Sequence, residues 1–148
     1  LKSLVRSEDF IVRWGGEEFL IILNKTRADY LEQFSEKVLS AVKETCIELP
    51  DNVVIHKTCS IGCAYLPFDM NYSDLLTFEQ TINICDFALY QAKEHGRDCS
   101  VHVSLAKPEY LKVDELKEYL TNLTKSSAIN NDYINVTFIR GQNAPLTV

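Results

Sequence analysis

A pair of glycines flanked by apolar runs constrains this chain more than any other feature. Residues 9–14 (DFIVRW) and 18–23 (EFLIIL) have the length and composition of β-strands, and only Gly15, Gly16 and Glu17 lie between them. Such runs around a glycine tip specify a β-hairpin. With no Cβ, the glycines also let the backbone come close to a bulky ligand. Glu17 and Glu18 follow at once. Along a strand, neighbouring side chains point to opposite faces, but at a turn both can lean toward one site. Their hard oxygens suit Mg²⁺, which keeps most of its waters and bridges to substrate phosphates. Taken alone, these residues fit a solvated hairpin turn better than a site.

Further along, Thr26 offers a helix N-cap with Asp29 three residues on. Tyr30, Leu31, Phe34, Val38, Ala41 and Val42 follow at helical spacing, so a helix is expected to about Thr45. Pro50, Asp51 and Asn52 make a turn, and one long strand is expected from Val53 to Tyr65 with Gly62 inside it. Residues 67–74 read as loop. A second helix covers Phe78 to His95, with Gly96 where a C-terminal cap belongs, and Val101 to Val103 reads as a short strand. Beyond Ser104, Pro108 can open a third helix with Val113, Leu116, Leu120 and Leu123 on one face. That face is expected to pack on its own domain rather than dock a partner. Ser126 to Asp132 reads as polar linker, Tyr133 to Ile139 as a last strand, and the tail from Gly141 as loose.

A length of 148 residues suits one modest domain. The net charge of −6 argues against a general nucleic-acid binder, whose phosphate contacts need a basic surface. A nucleotide site needs only a few local cations. Cys46, Cys59, Cys63, Cys85 and Cys99 form no CxxC pair and read as reduced, mostly buried thiols rather than zinc ligands. No apolar run is long enough to span a bilayer, and no signal peptide is read. The expected location is the cytoplasm, or the cytoplasmic part of a larger membrane-anchored sensor. The chain begins at Leu1 rather than Met, which reads as a fragment or the ordered part of something longer.

Four stretches together change the reading of the hairpin. Arg13-Trp14-Gly15-Gly16-Glu17-Glu18-Phe19 followed by Leu20-Ile21-Ile22-Leu23 closely resembles the signature of GGDEF domains. Thr58-Cys59-Ser60-Ile61-Gly62-Cys63-Ala64 resembles the family's "tvSiGva" strand, and Asp86 to Arg97 (DFALYQAKEHGR) resembles its "ADxALYxAKxxGR" helix. Arg6-Ser7-Glu8-Asp9 resembles its RxxD inhibitory motif at the family's distance from Gly15. One such match is weak, but four in order and in register are not a chance pattern.

The resemblance implies an α+β fold, an antiparallel sheet flanked by helices like a nucleotide cyclase or polymerase palm, but lacking the domain's first strand and helices. It covers about residues 1–103 as a partial GGDEF domain, leaving 104–148 as a C-terminal extension. The implied activity is that of a diguanylate cyclase, condensing two GTP into cyclic di-GMP with Mg²⁺, or Mn²⁺ in its place, across a homodimer downstream of a sensory domain. By the motif match, Glu17 would be a metal ligand and assist deprotonation of the 3′-hydroxyl, and Glu18 would support the metal or nucleotide. Gly15 and Gly16 would lie against GTP, and Lys93 and Arg97, four apart on a helix end, would hold its phosphates. Arg6 and Asp9 would form the primary part of a product-inhibition site, where a guanidinium can grip phosphate or guanine bidentately. Asp86 is expected to orient structure and Trp14 to pack beside the hairpin.

Asp98 and Cys99 replace the usual Asn and Arg, and Cys85 the usual Ala. The larger departure is that the sequence contains no stretch like the family's first strand, whose Asp completes the metal site, nor the Asn and Asp that read guanine. These 148 residues are therefore expected to be inactive alone. The missing strand would leave two strand edges open. Tyr133 to Ile139 has the length and alternation to be inserted there, with a partner chain or an upstream segment as alternatives. The rival function is a receptor that binds cyclic di-GMP through Arg6 and Asp9, or GTP, without turnover.

Overall fold

A computed structural model describes residues 1–106, 112–124 and 127–141. Strands β1 (Phe10–Gly15) and β2 (Glu18–Ile22) form the expected antiparallel hairpin. Gly16 takes φ +51° at its tip, a left-handed backbone that glycine adopts without Cβ strain. The register shifts between Arg13 and Gly15, so Trp14 sits in a bulge. Trp14 is 58% exposed, which corrects the expectation that it packs beside the hairpin.

Helix α1 (Ala28–Glu44) starts one residue later than the Thr26 cap implies. Its N-cap is Arg27, with no side-chain bond to the helix, because the Thr26 hydroxyl donates instead to the Asn24 carbonyl at 3.3 Å. Phe34 and Val38 are buried on the face the spacing marks, and Leu39, which that spacing leaves out, is buried as well.

The long strand expected from Val53 to Tyr65 is two strands in different sheets. β3 (Cys46–Leu49), unassigned in the sequence reading, pairs antiparallel with β4 (Val53–His56). Asp51 and Asn52 turn the chain between them in left-handed backbone, φ 68° and 60°, which their short polar side chains tolerate. The chain then leaves that hairpin and β5 (Ile61–Ala64) enters another sheet.

β5 runs parallel to β6 (Cys99–Leu105), and a parallel pair needs a long crossover. Helix α2 (Phe78–Glu94) supplies it. It opens on a capping box in which Thr77 Oγ1 accepts from Gln80 N at 3.2 Å and Gln80 Oε1 accepts from Thr77 N at 2.9 Å. α2 lies directly on β5. A Cβ on Gly62 would sit 2.0 Å from the Cys85 carbonyl oxygen and 2.4 Å from Leu89 N, both backbone.

β7 (Ile134–Arg140) pairs antiparallel with β6, giving a mixed sheet β5-β6-β7 beside the two hairpin sheets. The architecture is α+β as expected, and the described residues form three small sheets rather than one antiparallel sheet. β7 takes the side of β6 away from β5, so it is not inserted at the open edges. Among the described residues, β5 pairs only with β6, and the β1-β2 hairpin only with itself. Helix α3 (Val113–Thr121) buries Leu116 and Leu120, and Leu123 follows it inward. Pro108, expected to open this helix, lies outside the described residues, as do part of the expected linker and the tail after Gly141. The division at 103 falls inside β6, and Leu116, Leu120 and Ile134 share one apolar cluster with Ile84, Phe87 and Val101.

Alternation along β6 gives the sheet two different faces. Val101 and Val103 face the α2 cluster. His102 turns the other way, where its Nε2 lies 3.1 Å from both Ser35 Oγ of α1 and Ser100 Oγ. Its Nδ1 is buried without a hydrogen-bond partner among the described residues. All five cysteines are free. Burial pushes the Cys63 thiol up to about 12 and those of Cys59 and Cys85 up to about 11, while Cys46 is exposed on β3. Among the described residues, no helix is long and apolar enough to cross a membrane.

Two stability outcomes follow. Gly62→Ala should cost more than about 3 kcal/mol, beyond ordinary overpacking, because both neighbours are backbone. A melting temperature within a few degrees of wild type would contradict this packing. Burial holds the His102 pKa below its ordinary 6.5, with Glu32 opposing weakly. Below pH 6.5 the unfolded chain therefore takes up a proton that the folded chain refuses, and stability falls as pH falls. Melting curves from pH 7.5 to 5.5 should show that loss, and it should shrink in His102→Asn; an unchanged slope in the variant would assign the loss elsewhere.

Candidate functional site

The hairpin tip is closed by its own arginine. Arg13 Nε and Nη2 both donate to the Gly16 carbonyl, at 2.9 and 2.7 Å. This fork fixes the glycine turn and leaves the carboxylates after it pointing outward. Glu17 and Glu18 are both exposed.

Helix α2 brings cations to this tip. Lys93 Nζ stands 3.7 Å from Glu18 Oε1, each side chain about half exposed. Because Gly62 seats α2 against β5, the position of the helix end is a consequence of core packing. Arg97 comes just after the helix, in left-handed backbone at φ 58°, with its N–H donating to the Ala92 carbonyl at 2.9 Å. Neither Glu17 nor Arg97 makes an ion pair among the described residues. The structure thus brings Glu18 and Lys93 into contact, while Glu17 and Arg97 remain exposed in the adjoining turns.

Two adjacent carboxylates at an open tip are a partial donor set. Among the described residues no group of three or more candidate ligands occurs. That number fits a Mg²⁺ ion that takes its remaining ligands from water and phosphate. Glu17 and Glu18 would hold it.

Arg6 and Asp9 lie at the other end of the hairpin, roughly 17 Å from the tip by strand rise over β1. Asp9 closes that end. Its Oδ2 accepts from Arg6 N and its Oδ1 from Asn24 N, both at 2.9 Å. The Arg6 guanidinium does not pair with Asp9 but lies over the Tyr30 ring of α1, 4.4 Å from its centroid. Arg6, Lys25, Thr26, Arg27, Asp29, Tyr30 and Gln33 line an open cleft of about 240 Å³. Sequence reasoning placed Tyr30 in the apolar face of α1 and gave Arg13 no role. Arg13 was nonetheless inside the quoted motif. Tyr30 carried no distinguishing signal, since an aromatic at helical spacing reads first as core.

A family model described as "Diguanylate cyclase, GGDEF domain" matches residues 1–99. The protein called diguanylate cyclase A of Treponema denticola is 34% identical over 107 residues, covering 72% of this chain and 26% of that protein. Diguanylate cyclase DosC of Escherichia coli is 34% identical over 94 residues, covering 64% of this chain and 19% of that protein. An uncharacterized membrane protein of Staphylococcus saprophyticus is 35% identical over 98 residues, covering 66% and 26%. The chain thus spans about a quarter or less of the length of these curated relatives. No solved structure matches it.

The half-exposed Glu18–Lys93 pair contributes little to the fold. Glu18→Gln should change unfolding free energy by less than about 1 kcal/mol in denaturant titration. A larger loss would make the pair a structural element of the fold.

Proposed function

The chain belongs to the GGDEF diguanylate cyclase family, and from that premise we propose that its hairpin tip and helix terminus form part of a Mg²⁺–GTP site for making cyclic di-GMP. The observation that supports this most directly is the meeting of Glu18 with Lys93. A carboxylate for a metal and an ammonium for a phosphate stand within one triphosphate's reach. In this reading Glu17 and Glu18 hold the metal, and Gly15 and Gly16 leave room for the nucleotide against the backbone. Lys93 and Arg97 neutralise the phosphates. An Mg²⁺ ion held there would lower the pKa of the attacking 3′-hydroxyl and offset charge at the α-phosphate. The chain's own part is positioning: the Arg13 fork holds the tip, and the α2 seat holds the cations. Two such sites must face each other to join two GTP, so the working form is a homodimer. We place it in the cytoplasm, fed by an upstream sensor.

These 148 residues should turn over no GTP alone, because the family pattern draws a further metal carboxylate and its guanine-reading groups from a strand and helices that the sequence does not contain. A longer chain carrying that segment should form cyclic di-GMP, and Glu17→Ala in it should lower the rate at least about a hundredfold. Turnover by the 148-residue chain, or full activity in Glu17→Ala, would defeat the reading.

The receptor reading draws on a different observation, the cleft in which Arg6 stacks on Tyr30. Calorimetry with cyclic di-GMP on wild type and Arg6→Ala separates the two. Binding that Arg6→Ala removes, in a longer chain that makes no product, favours the receptor.

A further inference from the structure

Arg97 and Asp98 are consecutive non-glycine residues in left-handed backbone, at φ 58° and 50°. Such a conformation is unfavourable for a residue with a Cβ, and it persists where its surroundings hold it. Gly96, at φ 100°, leads the chain into it without penalty. Lys43 of α1 grips Asp98 from one side, Nζ to Oδ2 at 2.7 Å.

The other side is held by β7. Its register sets Arg140 opposite Cys99 and Phe138 opposite Val101, next to the turn that leaves α2. Arg140 Nη2 donates to the His95 carbonyl at 3.1 Å. That carbonyl is among the last of α2 and has no partner within the helix. A guanidinium there also suits the negative end of the helix dipole. The Phe138 ring packs on the His95 ring with centroids 4.7 Å apart. β7 therefore caps the end of α2 as well as covering the outer edge of β6, and it lies beyond the residues that the family model matches.

We propose that Phe138 and Arg140 are positioning residues that hold the His95–Asp98 turn and thereby aim Arg97 at the phosphates of the bound nucleotide. This rests on the reading of Arg97 as a phosphate-binding group. Neither residue touches the ligand itself. Without Arg140 the His95 carbonyl turns to water and the left-handed pair relaxes, moving Arg97 away from the tip where Glu18 meets Lys93.

Two readouts on the 148-residue chain test this. The first is amide hydrogen exchange at Arg97, whose N–H bonds Ala92. Arg140→Met should speed that exchange about tenfold, the equivalent of one hydrogen bond, while amides inside α2 keep their protection. Phe138→Leu should have a smaller effect in the same direction, and Arg140→Lys, which keeps a donor, should restore most of it. The second is the affinity for Mg²⁺-pyrophosphate, followed by NMR titration. Arg140→Met should weaken it about as much as Arg97→Ala does, and the double variant no further. Unchanged exchange at Arg97 in both Arg140→Met and Phe138→Leu would overturn the proposal. So would affinity that falls with Arg97→Ala but not with Arg140→Met. If Mg²⁺-pyrophosphate binds Arg97→Ala as well as it binds wild type, the phosphate reading fails, and the exchange rates then decide whether β7 holds the turn.

Discussion

The close approach of α2 to β5 at Gly62 is the constraint on which the rest of the structure depends. A helix normally rides above a sheet on a layer of side chains. Here the backbone of Cys85 and Leu89 lies where a Cβ would be. The contact fixes the helix in translation as well as in tilt, because interiors are packed too densely to allow sliding. Two things follow from one glycine. The crossover that makes β5 and β6 parallel is locked in place, and the end of α2 is delivered to the hairpin tip, where Lys93 reaches Glu18. The candidate site is thus assembled from elements far apart in sequence, with its geometry set in the core.

What was legible in the sequence was local. The β1-β2 hairpin, α2 and the cap at Gly96 each carry their cause within a few residues: a glycine tip, helical spacing, a left-handed stop. What was not legible depended on distant pairing. Nothing near Val53 says that β4 turns back on Cys46–Leu49 while β5 joins β6, so two strands read as one. The two threonines make a similar point. Thr26 and Thr77 look alike as caps, but Gln80 completes a box for Thr77, whereas Asn24 draws the Thr26 hydroxyl backward. Of the candidate site, the acidic tip and the cationic helix end could be named from the motifs. Their contact could not, and neither could the work of Arg13, Tyr30 and Arg140, which depends on partners that no spacing reveals.

The hairpin itself separates two chemistries. At one end Arg13 braces the turn beneath Glu17 and Glu18; at the other Asp9 ties the Arg6 turn to Asn24. A carboxylate that accepts two backbone N–H bonds has a structural duty whatever else it does. The Arg6 guanidinium is left to Tyr30, a flat face that limits its freedom without consuming its donors. β1 and β2 are hydrogen-bonded between these two ends, with the bulge at Trp14 next to the tip.

The burial of the thiols has a practical side. Burial raises these thiols well above their ordinary pKa, so little thiolate is present at neutrality, and it is the thiolate that reacts. Cys59, Cys63 and Cys85 are thereby shielded from alkylating agents and mild oxidants as long as the fold holds. Cys46 faces solvent. Cys99 is fully buried as well, so Cys46, on the β3-β4 hairpin, is the exposed one of the five, and faster labelling of the others by a maleimide dye would report the loosening of the sheet against its helices.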